Sequence, residues 1–511
     1  MSTILKENRK TFSKKPIKWK VFREKIIEEK IFTLFGFFSG VFLSLAMPGF
    51  NLYHLAWFAL IPLIMLIDSS KYLVKTVKYS FVFGMGFYLP VLSWLLGLHS
   101  LEWLGFNYIQ SIFLTVFIWL GVSLYSSCYY ILFGAGAYYI NKTNLNLLLK
   151  SILTVFCWNI CQNKLMSLGE FAFPWGMIEY SQYLNHSLIQ LSKYFGGEGI
   201  ASIIILSSAF IGLSVNKCLK NNLSKKNLGI RLTSCFIFIF LLHFTGFYLL
   251  KYPVSHNKKL IATIIQGNMT IDKEKGDKNS LDYARKYYLS EIKKAPAGII
   301  VIPETAFFEL LRYDDAKLYS ELEKTAFNDN KTVITGTIDL KKTLSGKILP
   351  TNSVIIFDKN IPINQDTIYN KRYIVPFGEY TPLAEIIPVW IRKFLSNAVN
   401  TPYARGEGTK IISSSNGRLL PTICYEIIFP DALDGKNTDV LVNLSNLSWF
   451  RDTIIKDQFV AFGVLRAAEN QKPFIISVNT GYSVIIDYTG KIICKIPKNT
   501  NGALSEEIFI P

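Results

Sequence analysis

Charged side chains are scarce in this 511-residue chain, and the stretch from 31 to 67 has none. Asp, Glu, Lys and Arg make up 18% of the residues, while half are hydrophobic. A soluble domain carries roughly 25% charge, so a purely water-soluble enzyme is excluded. Cysteine is sparse as well, with seven residues at 128, 157, 161, 218, 235, 424 and 494 and no Cys-x-x-Cys pair or regular spacing. That excludes a disulfide scaffold. Five of the seven lie in or beside apolar runs, where cysteine acts as a small hydrophobe. Metal-ligand clusters and glycine-rich nucleotide loops are missing, so neither a metal nor a cofactor is expected. Acidic residues number 37 against 55 basic ones, a formal charge of +18. With no zinc-finger spacing and no base-reading basic helix, that excess does not point to nucleic acid. Much of it gathers in the first 30 residues and in short loops between apolar runs, where anionic headgroups act.

Apolar residues crowd into 31–250, whereas charges, turns and short alternating runs dominate beyond about 255. The first apolar run begins near Ile31, after a long basic stretch, and no small-residue cleavage site follows. It reads as a permanent span rather than a signal peptide. A helix crosses a bilayer with about 20 residues. On that measure 31–67, broken at Pro48-Gly49, holds two spans, and 79–101 and 107–139 hold one each. A weaker stretch at 147–163, interrupted by Lys150, is a fifth, and 199–216 and 232–250 bring the count to about seven. Basic residues follow the even spans (Lys71, Lys75 and Lys78, then Lys142 and Lys150, then Lys217, Lys220, Lys225, Lys226 and Arg231), and the loops after odd spans are poor in them. The positive-inside rule then sets the N-terminus in the cytoplasm and everything after Lys251 on the outer side. The outer loop 164–196, with Phe171, Phe173-Pro174-Trp175, Tyr180 and Tyr183, reads as an aromatic anchor at headgroup level or as a lipid-facing entrance to a site.

From Lys259 onward, short β-branched runs alternate with helix-compatible segments. Strands are expected at 260–266, 298–302, 332–337, 352–357, 420–424, 438–443, 474–478, 482–487 and 491–496, and helices at 279–294, 314–327 and 454–470. This alternation argues for a layered α/β domain. The expected organisation is a basic cytoplasmic segment at 1–30, a membrane domain at 31–250, a globular catalytic domain at 251–500 and a tail at 501–511.

Three polar residues stand at or after expected strands: Glu304, Lys371 and Cys424. Taken singly, each has an ordinary structural explanation. Together they fit one chemistry. A thiol needs a base to become a nucleophile, and a carboxylate can serve. Attack on an acyl carbon creates an oxyanion that a fixed ammonium can stabilise.

The motifs around these residues resemble the nitrilase superfamily: Pro303-Glu304-Thr305 after one strand, Cys424-Tyr425-Glu426 after another, and a lysine between them. The run from Tyr369-Asn370-Lys371 through Val375-Pro376-Phe377-Gly378-Glu379 to Pro382 resembles the bacterial apolipoprotein N-acyltransferase family. Gln266-Gly267-Asn268, Ser445-Asn446 with Trp449-Phe450, Arg466-Ala467 with Glu469, Asn479-Thr480-Gly481 and Phe173-Pro174-Trp175 agree with it, so the resemblance spans about 30 to 495. It implies a multi-pass α-helical membrane domain joined to a nitrilase-like αββα sandwich. It also implies Cys424 as nucleophile, Glu304 as base and Lys371 as oxyanion partner. Glu379 would support Lys371, Tyr425 and Glu426 would surround the nucleophile, and Trp449 and Phe450 would belong to a lid at the substrate entrance.

The implied reaction is a two-step transfer from a phospholipid donor to the α-amino group of the diacylglyceryl-cysteine of an apolipoprotein, through a thioester and without cofactor. The implied setting is the periplasmic side of a bacterial inner membrane, with a monomeric enzyme. Three departures stand out: Lys275 where the family often has Trp, Leu447 and Arg451 in Ser445-Asn446-Leu447-Ser448-Trp449-Phe450-Arg451, and Ile476 in place of an Arg. They are expected to touch the lid rather than the triad, and an eighth, C-terminal span is not seen before Pro511. The rivals are a membrane-tethered amidase with the same triad and a transporter or receptor with a non-catalytic outer domain. A constellation of intramembrane charges would favour transport, and release of ammonia from a small amide would favour the amidase.

Overall fold

The computed structural model describes residues 15–252, 258–269, 278–307, 310–313, 315–343, 346–364, 367–385, 388 and 402–510. Its first half is helical: α1 Lys15–Leu45, α2 Ile61–Ser69, α3 Leu73–Val91, α4 Tyr108–Lys142, α5 Leu147–Trp158, α6 Ser192–Leu219 and α7 Lys225–Lys251. Three of these, α4, α6 and α7, are long and apolar enough to cross a membrane. On α7 the exposed rings of Phe236, Phe240 and Phe244 recur at four-residue spacing, which lines them along one face. The expected second span is broken, since a 3-10 turn at Tyr53–Leu55 and a four-residue helix precede α2. The weak fifth stretch is α5 running into a single wide π turn at Asn159–Lys164. Helix α1 reaches back through most of the segment expected to precede the membrane domain, whose first 14 residues lie outside the described ones.

The second half stacks two six-stranded sheets. The first runs β12-β1-β2-β3-β4-β5, from strands β1 Lys258–Gln266, β2 Gly298–Val301, β3 Lys331–Lys342, β4 Ile348–Phe357, β5 Tyr369–Asn370 and β12 Gly502–Ile510. The second runs β11-β10-β9-β8-β7-β6, from β6 Ile412–Ser414, β7 Gly417–Ile423, β8 Val440–Ser445, β9 Phe474–Val478, β10 Val484–Ile486 and β11 Ile492–Lys495. In each sheet three central strands are parallel, β1-β2-β3 and β7-β8-β9. Helices α8 Lys278–Lys294 and α9 Ala316–Asn328 cover the first sheet, and α10 Ile455–Asn470 covers the second. The layer order is the expected αββα sandwich.

Side-chain alternation builds this stack, because successive strand residues face opposite sides. On β9, Ile475 enters the core between the sheets, while Phe474 and Ile476 face α10. The segment expected as a tail is a strand over Gly502–Ile510: β12 pairs antiparallel with β1 over nine residues and buries Ile508 and Ile510. Ser505, Glu506 and Glu507 are all exposed on this edge strand, so burial does not alternate there, which masks the strand pattern in the sequence.

One core runs without a break from the helical half into the outer face of the second sheet. It joins Phe87, Tyr88 and Trp94 to Trp175, Tyr180, Phe459, Phe462, Leu465 and Ile476. Within the loop 164–196, Trp175 and Tyr180 therefore belong to a joint between the halves, while Phe171, Tyr194 and Phe195 are exposed. Trp175 is 3% exposed and Tyr180 fully buried, because both pack on α10. Trp175 Nε1 donates to Gln458 Oε1 at 2.8 Å, and Gln458 Nε2 donates to the carbonyl of Val91 at 3.0 Å. Arg466 Nη2 donates to the Tyr180 hydroxyl at 2.6 Å and pairs with Glu469, which accepts from the Gly197 N–H at 3.0 Å.

Glu179 is buried in this joint, and burial pushes its carboxyl up to about 7. The folded state holds that proton from the ordinary carboxylate range up to about pH 7, whereas the unfolded chain releases it near pH 4.5. Stability contributed by the protonated form is present below pH 4.5 and lost as pH rises through 7. Thermal unfolding of the detergent-solubilised protein should therefore fall between pH 5 and pH 8. In Glu179→Gln, which has no proton to lose, this fall should be smaller. An identical pH slope in both proteins would show that Glu179 is ionised in the fold.

Candidate active site

Loops at the ends of strands in both sheets converge on one buried point. Glu304 follows β2, Lys371 follows β5, and Cys424 follows β7. The Lys371 ammonium, 1% exposed, donates to Glu379 Oε1 at 2.9 Å and reaches Glu304 Oε1 at 3.4 Å. Asn352, on β4, ties the two carboxylates together, donating through Nδ2 to Glu304 Oε1 at 2.6 Å and to Glu379 Oε1 at 3.1 Å. The second oxygen of Glu304 accepts from the Asn446 N–H at 2.8 Å, and that of Glu379 from the Val375 N–H at 2.7 Å. Charge-assisted bonds of this kind are each worth roughly 1.5–3 kcal/mol, and together they hold the ammonium in place.

Close backbone approach fixes the loops that carry these groups. A Cβ at Gly406 would lie 1.9 Å from the Asn370 carbonyl, so only glycine lets this strand-like segment donate its N–H to the Lys371 carbonyl. A Cβ at Gly336 would come within 2.7 Å of the Glu304 Cα.

Cys424 begins a 3-10 turn with φ of 47°. A left-handed non-glycine residue costs roughly 1–3 kcal/mol, and the turn bends the chain sharply where the strand ends. Glu426 restrains this bend. Its carboxylate accepts from the N–H groups of Ile423 (2.8 Å), Arg372 (2.7 Å) and Tyr373 (3.1 Å) and from the Tyr369 hydroxyl (2.8 Å). It thus ties the segment after Lys371 to the cysteine turn. Tyr425 points to the helical half, donating to the Ala172 carbonyl at 2.7 Å and stacking near Phe173 and Trp175. Trp449 and Phe450 lie half-buried on the 3-10 turn Ser448–Phe450, and Phe450 meets Trp94 edge-on at 4.8 Å.

The electrostatics oppose a resting thiolate. Burial and the Glu304 charge push the Cys424 thiol well above its ordinary value, and Lys371 offsets only part of this. Burial acts to lower the Lys371 ammonium, but Glu379 and Glu304 outweigh it and hold the group above the usual lysine range. The resting site contains a neutral thiol beside a fixed cation.

All three expected central residues come together, with Glu379 and Glu426 against them. Sequence reasoning missed Asn352, a polar residue inside a strand that nothing local marks as a site group, and it had Tyr369 within the lysine motif without giving it a role. Of the departures, Lys275 lies outside the described residues. Leu447 is buried in the core but leads into the Trp449–Phe450 turn, its carbonyl accepting from the Phe450 N–H at 3.2 Å. Ile476 lies away from that turn, placed by strand alternation against Gly463 of α10. Arg451 alone is exposed.

Residues 261–509 match the family model for carbon-nitrogen hydrolase, and residues 39–210 match the apolipoprotein N-acyltransferase N-terminal domain. The apolipoprotein N-acyltransferase of Wigglesworthia glossinidia brevipalpis is 28% identical over 496 residues, covering 94% of this chain and 92% of that protein. The protein of the same name from Haemophilus influenzae is 27% identical over 495 residues, with 94% and 89% covered. A solved CN-hydrolase superfamily protein from Xanthomonas campestris is 15% identical with a TM-score of 0.36, covering 49% of this chain and 91% of its own.

Alkylation of Cys424 by iodoacetamide, followed on its own peptide by mass spectrometry, should be slow at pH 7 and rise only above about pH 9, where a thiol held up by burial begins to ionise. Glu304→Gln removes one of the charges that raise the thiol, so its profile should move to lower pH. Lys371→Met should move it higher. Profiles that coincide would show that these groups do not face the sulfur.

Proposed function

We propose that this chain, which belongs to the apolipoprotein N-acyltransferase family, is a membrane-bound N-acyltransferase that moves an acyl chain from a phospholipid to the α-amino group of the diacylglyceryl-cysteine of an apolipoprotein. The observation that carries this reading is the Cys424 thiol placed beside a doubly anchored ammonium, on a domain whose core is continuous with apolar helices. Acceptors and donors that are themselves lipids can reach such a site without leaving the membrane.

Glu304 takes the thiol proton as the sulfur attacks the ester carbonyl. Charge develops on the carbonyl oxygen, and the Lys371 ammonium stabilises it without reorganising, because Glu379 and Asn352 already hold it. Collapse breaks the ester C–O bond. Glu304 returns its proton to the leaving alkoxide, a lysophospholipid departs, and Cys424 carries the acyl group as a thioester. The lipoprotein amine then attacks the thioester carbonyl, Glu304 accepts a proton from nitrogen, and the C–S bond breaks. The thiolate recovers that proton. No redox partner enters, and the ester supplies the driving force.

A resting thiol that stays neutral suits this order of events. Proton removal is coupled to the arrival of a carbonyl next to Lys371, which limits hydrolysis and oxidation of the free enzyme. The helical half would sit in a bacterial inner membrane with the sandwich on its periplasmic face, supported by the basic residues that follow even-numbered apolar stretches.

Purified enzyme in detergent with phospholipid and a diacylated lipopeptide should yield triacylated lipopeptide and lysophospholipid in equal amounts. Cys424→Ala should abolish both products. Glu379→Gln should reduce kcat by about 100-fold, the scale for removing one support of an oxyanion group. Ammonia release from small amides, with no lipopeptide product, would sink the reading in favour of an amidase.

A further inference from the structure

Arg451 follows the 3-10 turn that carries Trp449 and Phe450, with φ of 50° and ψ of −145°. That backbone region is occupied almost only by glycine, because a Cβ crowds the adjacent carbonyl. An arginine held there is strained, so its side chain has a placement to maintain. The guanidinium Nε donates to the His99 carbonyl at 2.5 Å, which fixes the plane of the fork.

The location is specific. The His99 ring packs on Tyr108 at 4.8 Å, at the first turn of α4. The next turns of that helix expose Ile109, Phe113 and Phe117, the last two more than 70% exposed. Such a face is shielded from water only by lipid chains. Arg451 therefore stands at the end of a lipid-facing helix. In the other direction, a buried row of packed rings connects it to the Cys424 turn: Phe450 against Trp94 at 4.8 Å, Trp94 against Trp175 at 4.8 Å, and Trp175 over Tyr425 at 6.5 Å.

The surroundings leave its charge uncompensated. The neighbouring Asp452 pairs with Lys498 at 2.7 Å and Lys456 at 3.9 Å, and among the described residues no carboxylate forms an ion pair with Arg451. A guanidinium fork at the end of a lipid-facing helix, one turn from the loop that packs toward the Cys424 turn, matches an anionic oxygen pair on a molecule whose chains lie along that helix.

Resting on the phospholipid-donor reading above, we propose that Arg451 binds the phosphodiester of the acyl donor and so selects phospholipids over uncharged esters. The apolar chains lie against the exposed Ile109, Phe113 and Phe117 face of α4, and the phosphate stays at the fork. Arg451 acts on donor recognition and takes no part in the proton transfers.

The test compares phosphatidylglycerol with diacylglycerol of the same chains, each in the same neutral detergent, with a diacylated lipopeptide as acceptor. Arg451→Gly suits the backbone without strain, and Arg451→Gln keeps side-chain bulk without charge. Both should narrow the ratio of kcat/KM between the two donors by about fivefold, the scale of one exposed charged contact. Arg451→Lys should retain most of the preference. An unchanged ratio in both uncharged variants would overturn the proposal. So would an equal loss with both donors, which marks Arg451 as a support of the loop. Wild-type enzyme that acylates from neither donor would instead defeat the phospholipid reading itself.

Discussion

The buried ammonium of Lys371 organises the site of this molecule. Lys371 sits out of water between two carboxylates, and a charge in that position is tolerated only while both remain in place. Each carboxylate in turn depends on a loop from a different place: Glu304 after β2, Glu379 in the segment after β5. Asn352 on β4 locks the pair, and the Asn446 N–H after β8 completes Glu304. The lysine's own partners all come from the first sheet, and the second sheet reaches the centre through the Asn446 N–H on Glu304. Fold and site are therefore assembled by the same contacts.

The cysteine is attached to this centre through Glu426. Its carboxylate receives N–H groups from the strand before Cys424 and from the segment after Lys371, so nucleophile and ammonium cannot drift apart independently. Burial then gives the thiol its neutral resting form, and the same low dielectric strengthens the field of Lys371 on a developing oxyanion. On the proposed mechanism, one environment would quiet the free enzyme and favour the transition state.

The joint between the halves extends this logic to the membrane. Tyr425, one residue past the nucleophile, bonds and stacks on the 172–175 segment, and α10 is clamped by Trp175, Tyr180 and Gly197. The two strand-end residues and the lysine were legible in the sequence because each ends or follows a short apolar run and together they match a motif order. Asn352 was not, since one asparagine inside a strand looks like any polar position until its partners are known. The aromatic loop misled for a related reason: Trp175 and Tyr180 suit a membrane interface and a protein interface equally well, and only the opposing face of α10 decides between them. Strand β12 hid behind its outward Ser505, Glu506 and Glu507, and Ile476 looked like a site change until strand alternation turned it toward α10.

The central claim is that Cys424 carries the acyl group beside Lys371. Incubating the purified protein with phospholipid alone, then digesting under acidic conditions and measuring the mass of the Cys424 peptide, tests it most directly. The account predicts one acyl mass on that peptide, removed by neutral hydroxylamine and by a diacylated lipopeptide. An unmodified Cys424 peptide in folded protein that still forms triacylated lipopeptide would contradict it.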